Sequence, residues 1–264
     1  MISLQIELYI LYFASVLYTA FTVLSIINAD KLSYYKSTIA LGILAFITHT
    51  SSIAIHWYRV AHGPFINLYE ILNSNVWSLF LAVVLYMIFF KNKRYITKIV
   101  MPVILILLLW LLTTKAGDSY LPPTYNTIWL YFHVVSGKVF FALLLLATGL
   151  AVYSLSHRKN ANVNHNDIIL LAYKFLTIAF VFDSFMLFFG AIWAQDAWGR
   201  YWSWDPLETW AFLTWLSIVF ALHIQDKFKQ ALLFRSVIII SFILAFLTFF
   251  GVPFISKSAH QGMV

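Results

Sequence analysis

The sequence predicts an all-α, polytopic membrane protein: a bundle of about eight transmembrane helices with an external tryptophan-rich segment. Apolar residues make up 62% of the 264-residue chain and charged ones only 10%, a balance that no water-soluble fold of this size shows. The apolar residues gather in runs of about 17–25, the length a bilayer crossing needs. Lys and Arg concentrate in every second connection between those runs, as they do in cytoplasmic loops.

The first run, 5–27, has no basic stretch before it and no small-residue cleavage site, so it reads as a membrane helix and not as a removable signal. The second, 38–57, is followed by HGPFINLYE (His62 to Glu70), in which Gly63 and Pro64 break the helix. Asn67 is placed to cap the third run, 71–90, with Glu70 at its third position as in a capping box. The fourth run, 97–113, is short for a crossing. Thr114 to Ile128 contains Pro122 and Pro123 and delivers the chain to Trp129 and the fifth helix, 129–153, with His133 about one turn in.

The sixth run, 169–193, leads into WGRYWSWDPLETWAFLTW (Trp198 to Trp215), which holds five of the ten tryptophans around Arg200, Asp205 and Glu208. If this stretch were helical, Trp198 and Trp202 would share a face. Asp205-Pro206 is a helix start, with Asp as N-cap, Pro at the first helical position and Glu208 at the third, so the seventh helix, 207–223, begins directly under the aromatic cluster. The eighth run, 235–255, precedes the ending GVPFISKSAHQGMV. No repeat, low-complexity tract or linker divides the chain, and residues 1–264 read as one membrane domain.

One set of connections holds Lys31, Lys36, Lys91, Lys93, Arg94, Lys98, Arg158, Lys159, Lys227 and Lys229; the other holds Arg59, Lys115, Arg200 and Lys257. The first set is therefore expected in the cytoplasm, with both termini and the tryptophan segment outside. The net charge of +7 is a topology signal; the basic residues are dispersed, which argues against nucleic acid as a partner. Cysteine is absent, so disulfides, iron–sulfur clusters and a thiol nucleophile are excluded, and any thiol chemistry belongs to a partner or substrate.

Among eight histidines, His157 and His165 lie in the polar loop HRKNANVNH and read as solvated. His49 and His56, two turns apart on the second helix, are open between intramembrane function and helix-to-helix hydrogen bonding, and His62 is as readily a loop-packing residue. His133 and His260 are expected on the same outer surface as the tryptophans. Two neutral imidazoles on either side of a planar metal macrocycle hold haem iron, and indoles between them supply the apolar contact; interfacial anchoring by the aromatic residues is the competing explanation. His223 lies thirteen residues beyond Trp210, about 20 Å along a helix, and belongs either to a second, inner station or to an interfacial histidine reaching toward Gln225 and Asp226. Arg200 is placed to meet a haem propionate, whereas Asp205 and Glu208 are first of all caps.

WGRYWSWDPLETWAFLTW resembles the WWD signature of a superfamily of haem-handling proteins. The upstream GAIWAQDA and the downstream ALH are similar to its system II branch, the CcsA or ResC type of cytochrome c biogenesis protein. HGPFINLYE, WLYFHVVSG and GVPFISKSAH resemble further segments of that branch, so the likeness spans most of the chain, with the WWD segment at about 194–210. It implies transport of haem b across the membrane and its presentation to an apocytochrome c, whose Cys-x-x-Cys-His segment is joined to the haem vinyl groups. His133 and His260 then take the positions of the external axial ligands, His223 that of the membrane histidine, and Trp198, Trp202, Trp204, Arg200 and Asp205 form the haem-binding segment. A separate CcsB, ResB or Ccs1 type membrane subunit is implied as partner, in a bacterial cytoplasmic or thylakoid membrane. The same superfamily contains haem exporters and regulators of tetrapyrrole synthesis, and from a different class the chain could be a transporter or structural membrane subunit. No residue reads as a nucleophile or a dedicated acid–base pair, so a catalytic role for the chain alone stays open.

Overall fold

The structure, a computed structural model, describes residues 4–28, 32–157, 164–224 and 232–252. Among these residues the fold is all helical. The helices are α1 (Leu4–Ile27), α2 (Tyr35–Val60), α3 (Leu68–Phe89), α4 (Thr97–Thr113), α5 (Ile128–Ser156), α6 (His165–Trp198), α7 (Pro206–Leu222) and α8 (Leu232–Phe250), with short 3₁₀ turns at Leu32–Tyr34, Lys91–Ile96 and Pro123–Tyr125. Seven are long and apolar enough to cross a membrane, α4 together with the 3₁₀ turn before it, and α7 is a shorter apolar helix of 17 residues. The polytopic helical membrane fold stands as expected.

Seven helices begin or end within a few residues of the apolar runs. The exception is α6, which has 34 residues, about 51 Å at 1.5 Å per residue, against a hydrocarbon core of about 30 Å. The apolar run stops at Trp193, yet Gln195 and Asp196 continue the helix to Trp198, because polarity marks where solvent begins and not where backbone hydrogen bonding stops. At the other end α8 stops at Phe250, short of the 255 expected, where Gly251 makes a turn.

Contacts divide the chain into two compact units, Met1–Leu121 and Pro122–Val264. In the first, α1 packs on α2 and α4, and α3 on the same two helices. In the second, α5 packs on α6 and α8, and α7 on the same two. Each is thus an up-and-down four-helix ring.

The connection between the second and third helices follows one plan in both units. Helix α2 ends on Ala61 in the left-handed region, φ 61°, and α6 on Gly199, φ 76°. Six residues later comes the N-cap: Asn67 Oδ1 accepts from Glu70 N at 2.9 Å, and Asp205 Oδ1 accepts from Glu208 N at 2.9 Å. The glutamate then reaches back, Glu70 to Ile66 N at 2.8 Å and Glu208 to Ser203 N at 2.7 Å. Both capping arrangements expected from the sequence are formed, and each satisfies backbone donors that the helix start would leave unpaired.

Candidate functional site

The second unit brings His133 against α6. Thr127 caps α5, its hydroxyl accepting from Trp129 N at 3.4 Å, and the 3₁₀ turn before it is pinned by Trp193 of α6, whose Nε1 donates to Thr124 O at 3.0 Å. Tyr125 stands edge-on to the Trp193 ring at 5.2 Å and 88°, and its burial pushes the hydroxyl above its ordinary pKa. Five residues into α5, His133 Nδ1 lies 2.8 Å from Met186 O. A carbonyl only accepts, so Nδ1 carries the hydrogen and in the neutral ring Nε2 holds the lone pair. The imidazole lies 6.0 Å from the Trp193 ring at 32°, and Trp193 meets Trp198 at 5.1 Å and 66°.

The tryptophan segment differs from a continuous helix. Gly199 adopts the left-handed conformation and ends α6 at Trp198, so Trp198 and Trp202 do not share a helix face. Residues 200–205 are irregular, with Trp204 itself at φ 58°. Trp202 and Trp204 stand 5.7 Å apart at 83°, both edge-on to Phe212 at 6.3 and 6.1 Å. Phe212 stacks on Trp215, whose Nε1 donates to Ser184 Oγ at 2.9 Å. The indoles therefore do not tile a flat sheet; crossed rings offer edges and faces together, the arrangement aromatic quadrupoles favour. Trp204 is 67% exposed and Arg200 is exposed. Trp202 Nε1 is buried and meets no acceptor among the described residues, a donor left in want of a partner. Asp205 acts as the N-cap of α7, as expected.

His223 caps the far end of α7. It is exposed, and its Nδ1 lies 2.7 Å from Val219 O, which again leaves the lone pair on Nε2. The 17 residues of α7, about 25 Å of rise, separate it from the tryptophan segment, so the two stand at opposite ends of one helix. His260 lies outside the described residues, and its pairing with His133 stays an expectation.

The remaining histidines are occupied by hydrogen bonds. His49 bridges Tyr18 at 2.8 Å and Asn73 at 2.5 Å. His56 is fully buried between two carboxylates, Nδ1 2.8 Å from Glu7 and Nε2 3.2 Å from Glu70. Arg59 binds Glu7 at 3.1 Å and also Asp118, Tyr69 donates to Glu7 at 3.0 Å, and Ser119 bonds both Glu70 and His62. His157 bonds Ser156 and Tyr153. His165 is no loop residue: it opens α6, half-buried, with Nδ1 3.2 Å from Ser154 Oγ.

Sequence reasoning missed Glu7, hidden inside an apolar run; Asp183, buried in α6 with neither carboxylate oxygen bonded among the described residues; and the Gly190, Met186 and Trp193 setting of His133. For the last, GAIWAQDA carried a signal in the glycine and tryptophan that lie at helical spacing on one face.

Comparison with known proteins places these features. Residues 65–260 match the family described as Cytochrome C assembly protein. The chain is 28% identical to the cytochrome c biogenesis protein CcsA of Pelargonium hortorum over 86% of each chain. With that of Guillardia theta it is also 28% identical, over 86% of this chain and 84% of the relative. Among solved structures, the cytochrome c haem lyase CcmF shares the fold with a TM-score of 0.62 at 19% identity, over 97% of this chain and 46% of that one.

Proposed function

Because the chain belongs to the cytochrome c assembly protein family, as a CcsA-type cytochrome c biogenesis protein, we propose that it takes up haem b at His223, carries it through the bilayer, and presents it at the tryptophan segment between His133 and His260. It is an integral membrane protein that handles haem in cytochrome c maturation. In the proposed orientation His223 faces the cytoplasm, while both termini and the tryptophan segment lie on the other side, as the basic loops direct.

The observation that carries the reading is the state of the two imidazoles. His133 and His223 each commit Nδ1 to a helix carbonyl, which fixes the ring and leaves Nε2 as the electron-pair donor that iron requires. A porphyrin brings four nitrogens of its own, so axial imidazoles complete the iron. Trp202 Nε1 and Arg200 are the donors for its propionates, Trp198 and Trp204 give apolar contact, and Asp205 holds the start of α7 beneath them.

Attachment joins each thiol of the apocytochrome's Cys-x-x-Cys-His segment to a haem vinyl group: a carbon–sulfur bond forms and the thiol proton passes to the neighbouring vinyl carbon, with no net oxidation. Positioning supplies the rate, since holding reactants in register removes a large part of a bimolecular barrier. A CcsB, ResB or Ccs1 type subunit completes the inner station, and the cytochrome's own histidine displaces one outer ligand.

Haem spectra of the protein purified with its partner test the reading. His133→Ala and His260→Ala are expected to abolish the low-spin bis-histidine signal of the outer station, and His223→Ala to lower total haem; an unchanged low-spin signal in the first two overturns the outer assignment. Because cysteine is absent, single cysteines at Lys115 and Lys93 report orientation: an impermeant maleimide should label the first and not the second from outside.

A further inference from the structure

His133 approaches α6 at a glycine. A Cβ added to Gly190 would lie 2.7 Å from His133 Nδ1 and 3.0 Å from Cε1, closer than side chains approach, so the ring occupies the space that any other residue would fill. Met186 O, the acceptor 2.8 Å from Nδ1, is the carbonyl that receives the Gly190 N–H in the α-helical ladder. Its second lone pair points past residue 190, and the imidazole reaches it because nothing projects there. Trp193, one turn on, lies 6.0 Å from the ring at 32° and closes that side.

We propose that Gly190 is a positioning residue for haem ligation: it lets His133 sink against the backbone of α6 and donate to Met186 O, which orients Nε2 toward iron and raises its basicity. The inference rests on His133 being an axial ligand. A backbone acceptor behind a ligating histidine fixes the tautomer and the ring angle, and losing such an outer contact costs about 10- to 100-fold in metal affinity. A glycine that only allowed α5 and α6 to pack would move stability and leave the iron's electronic properties as they were.

The test uses the protein purified with its partner. In Gly190→Ala the new methyl displaces the ring from Met186 O. Outer-station haem occupancy is expected to fall about tenfold, the ferric spectrum to shift from low to high spin, the midpoint potential of the remaining haem to rise as the imidazole donates less charge, and free imidazole to restore the low-spin form. Gly137→Ala is the control on the facing helix, because its methyl would press on the flexible tip of Met186, 2.9 Å from Sδ, and otherwise lie at ordinary contact distance, 3.4 Å, from Phe249 Cζ; its spectrum should equal wild type. Wild-type occupancy, spin state and potential in Gly190→Ala overturn the inference while His133→Ala still loses the signal; an unaltered His133→Ala spectrum overturns the ligand assignment itself. Should Gly190→Ala fail to accumulate, Nδ-methylhistidine at position 133 removes the same donor with the glycine intact. The same spin and potential changes are expected there, and their absence rejects the proposal.

Discussion

The two four-helix units share a scaffold and use it in opposite ways. Each has the same helix adjacency, a left-handed residue closing its second helix, and a capped glutamate opening its third. In the first unit the polar groups at this connection turn inward. The buried Glu7, His56, Glu70 and Tyr69 satisfy one another there together with the partly exposed Arg59 and Ser119. In the second, the corresponding stretch carries indoles, an exposed Arg200 and a Trp202 Nε1 that meets no acceptor among the described residues, with the His133 imidazole nearby, its Nδ1 on Met186 O. A closed network holds helices; a buried donor that meets no acceptor among the described residues is open to a ligand.

The sharpest way to break this contrast is to neutralise one buried acid in each unit. Glu7→Gln leaves His56 and Arg59 without their shared carboxylate and is expected to cost about 3–5 kcal/mol, read as lost membrane abundance and a lower unfolding temperature in detergent. Asp183→Asn replaces a carboxyl group with no bonded partner among the described residues and is expected to leave stability equal or higher, since an unpaired buried polar group is itself a burden. Equal losses from both would erase the distinction.

Next in size, Trp202→Phe keeps the ring and deletes the Nε1 donor. Stability should hold, while haem affinity falls about 10- to 100-fold, as for a hydrogen bond to a charged group worth about 1.5–3 kcal/mol. Full retention of haem would show that the orphan donor has no ligand to serve.

The smallest effect comes from the matched caps. Asn67→Ala and Asp205→Ala should each lower stability by about 1 kcal/mol, measured by thermal unfolding. Cytochrome maturation beyond that loss should suffer only in Asp205→Ala, because its helix start carries the haem-facing rings; equal maturation in both would reduce Asp205 to a cap.

Much of this was legible beforehand because it depends on neighbours in the chain. Asp205-Pro206 and Asn67 announced helix starts, since a capping oxygen and the backbone N–H it accepts from are three residues apart and need no tertiary partner. The length of the apolar runs gave the crossings. What misled was the same locality carried too far: the spacing of Trp198 and Trp202 suggested a shared face, but Gly199 turns the chain between them. The polar tail of α6 was lost for a related reason, as hydropathy stops at the solvent boundary while the helix does not.

Composition, periodicity and the WWD-like segment by themselves determined a helical membrane protein of haem-handling type, because the bilayer forces every crossing into a long apolar helix with its backbone satisfied internally. They also placed His133 and His223 along their helices. Only the tertiary structure decided which nitrogen of each ring is committed, that Glu7 and Glu70 share His56 across α1, α2 and α3, and that Gly190 makes room for His133. His223 and Val219 apart, which are four positions from each other, such pairings join residues from 14 to 57 positions apart, and no periodicity records which faces of different helices meet.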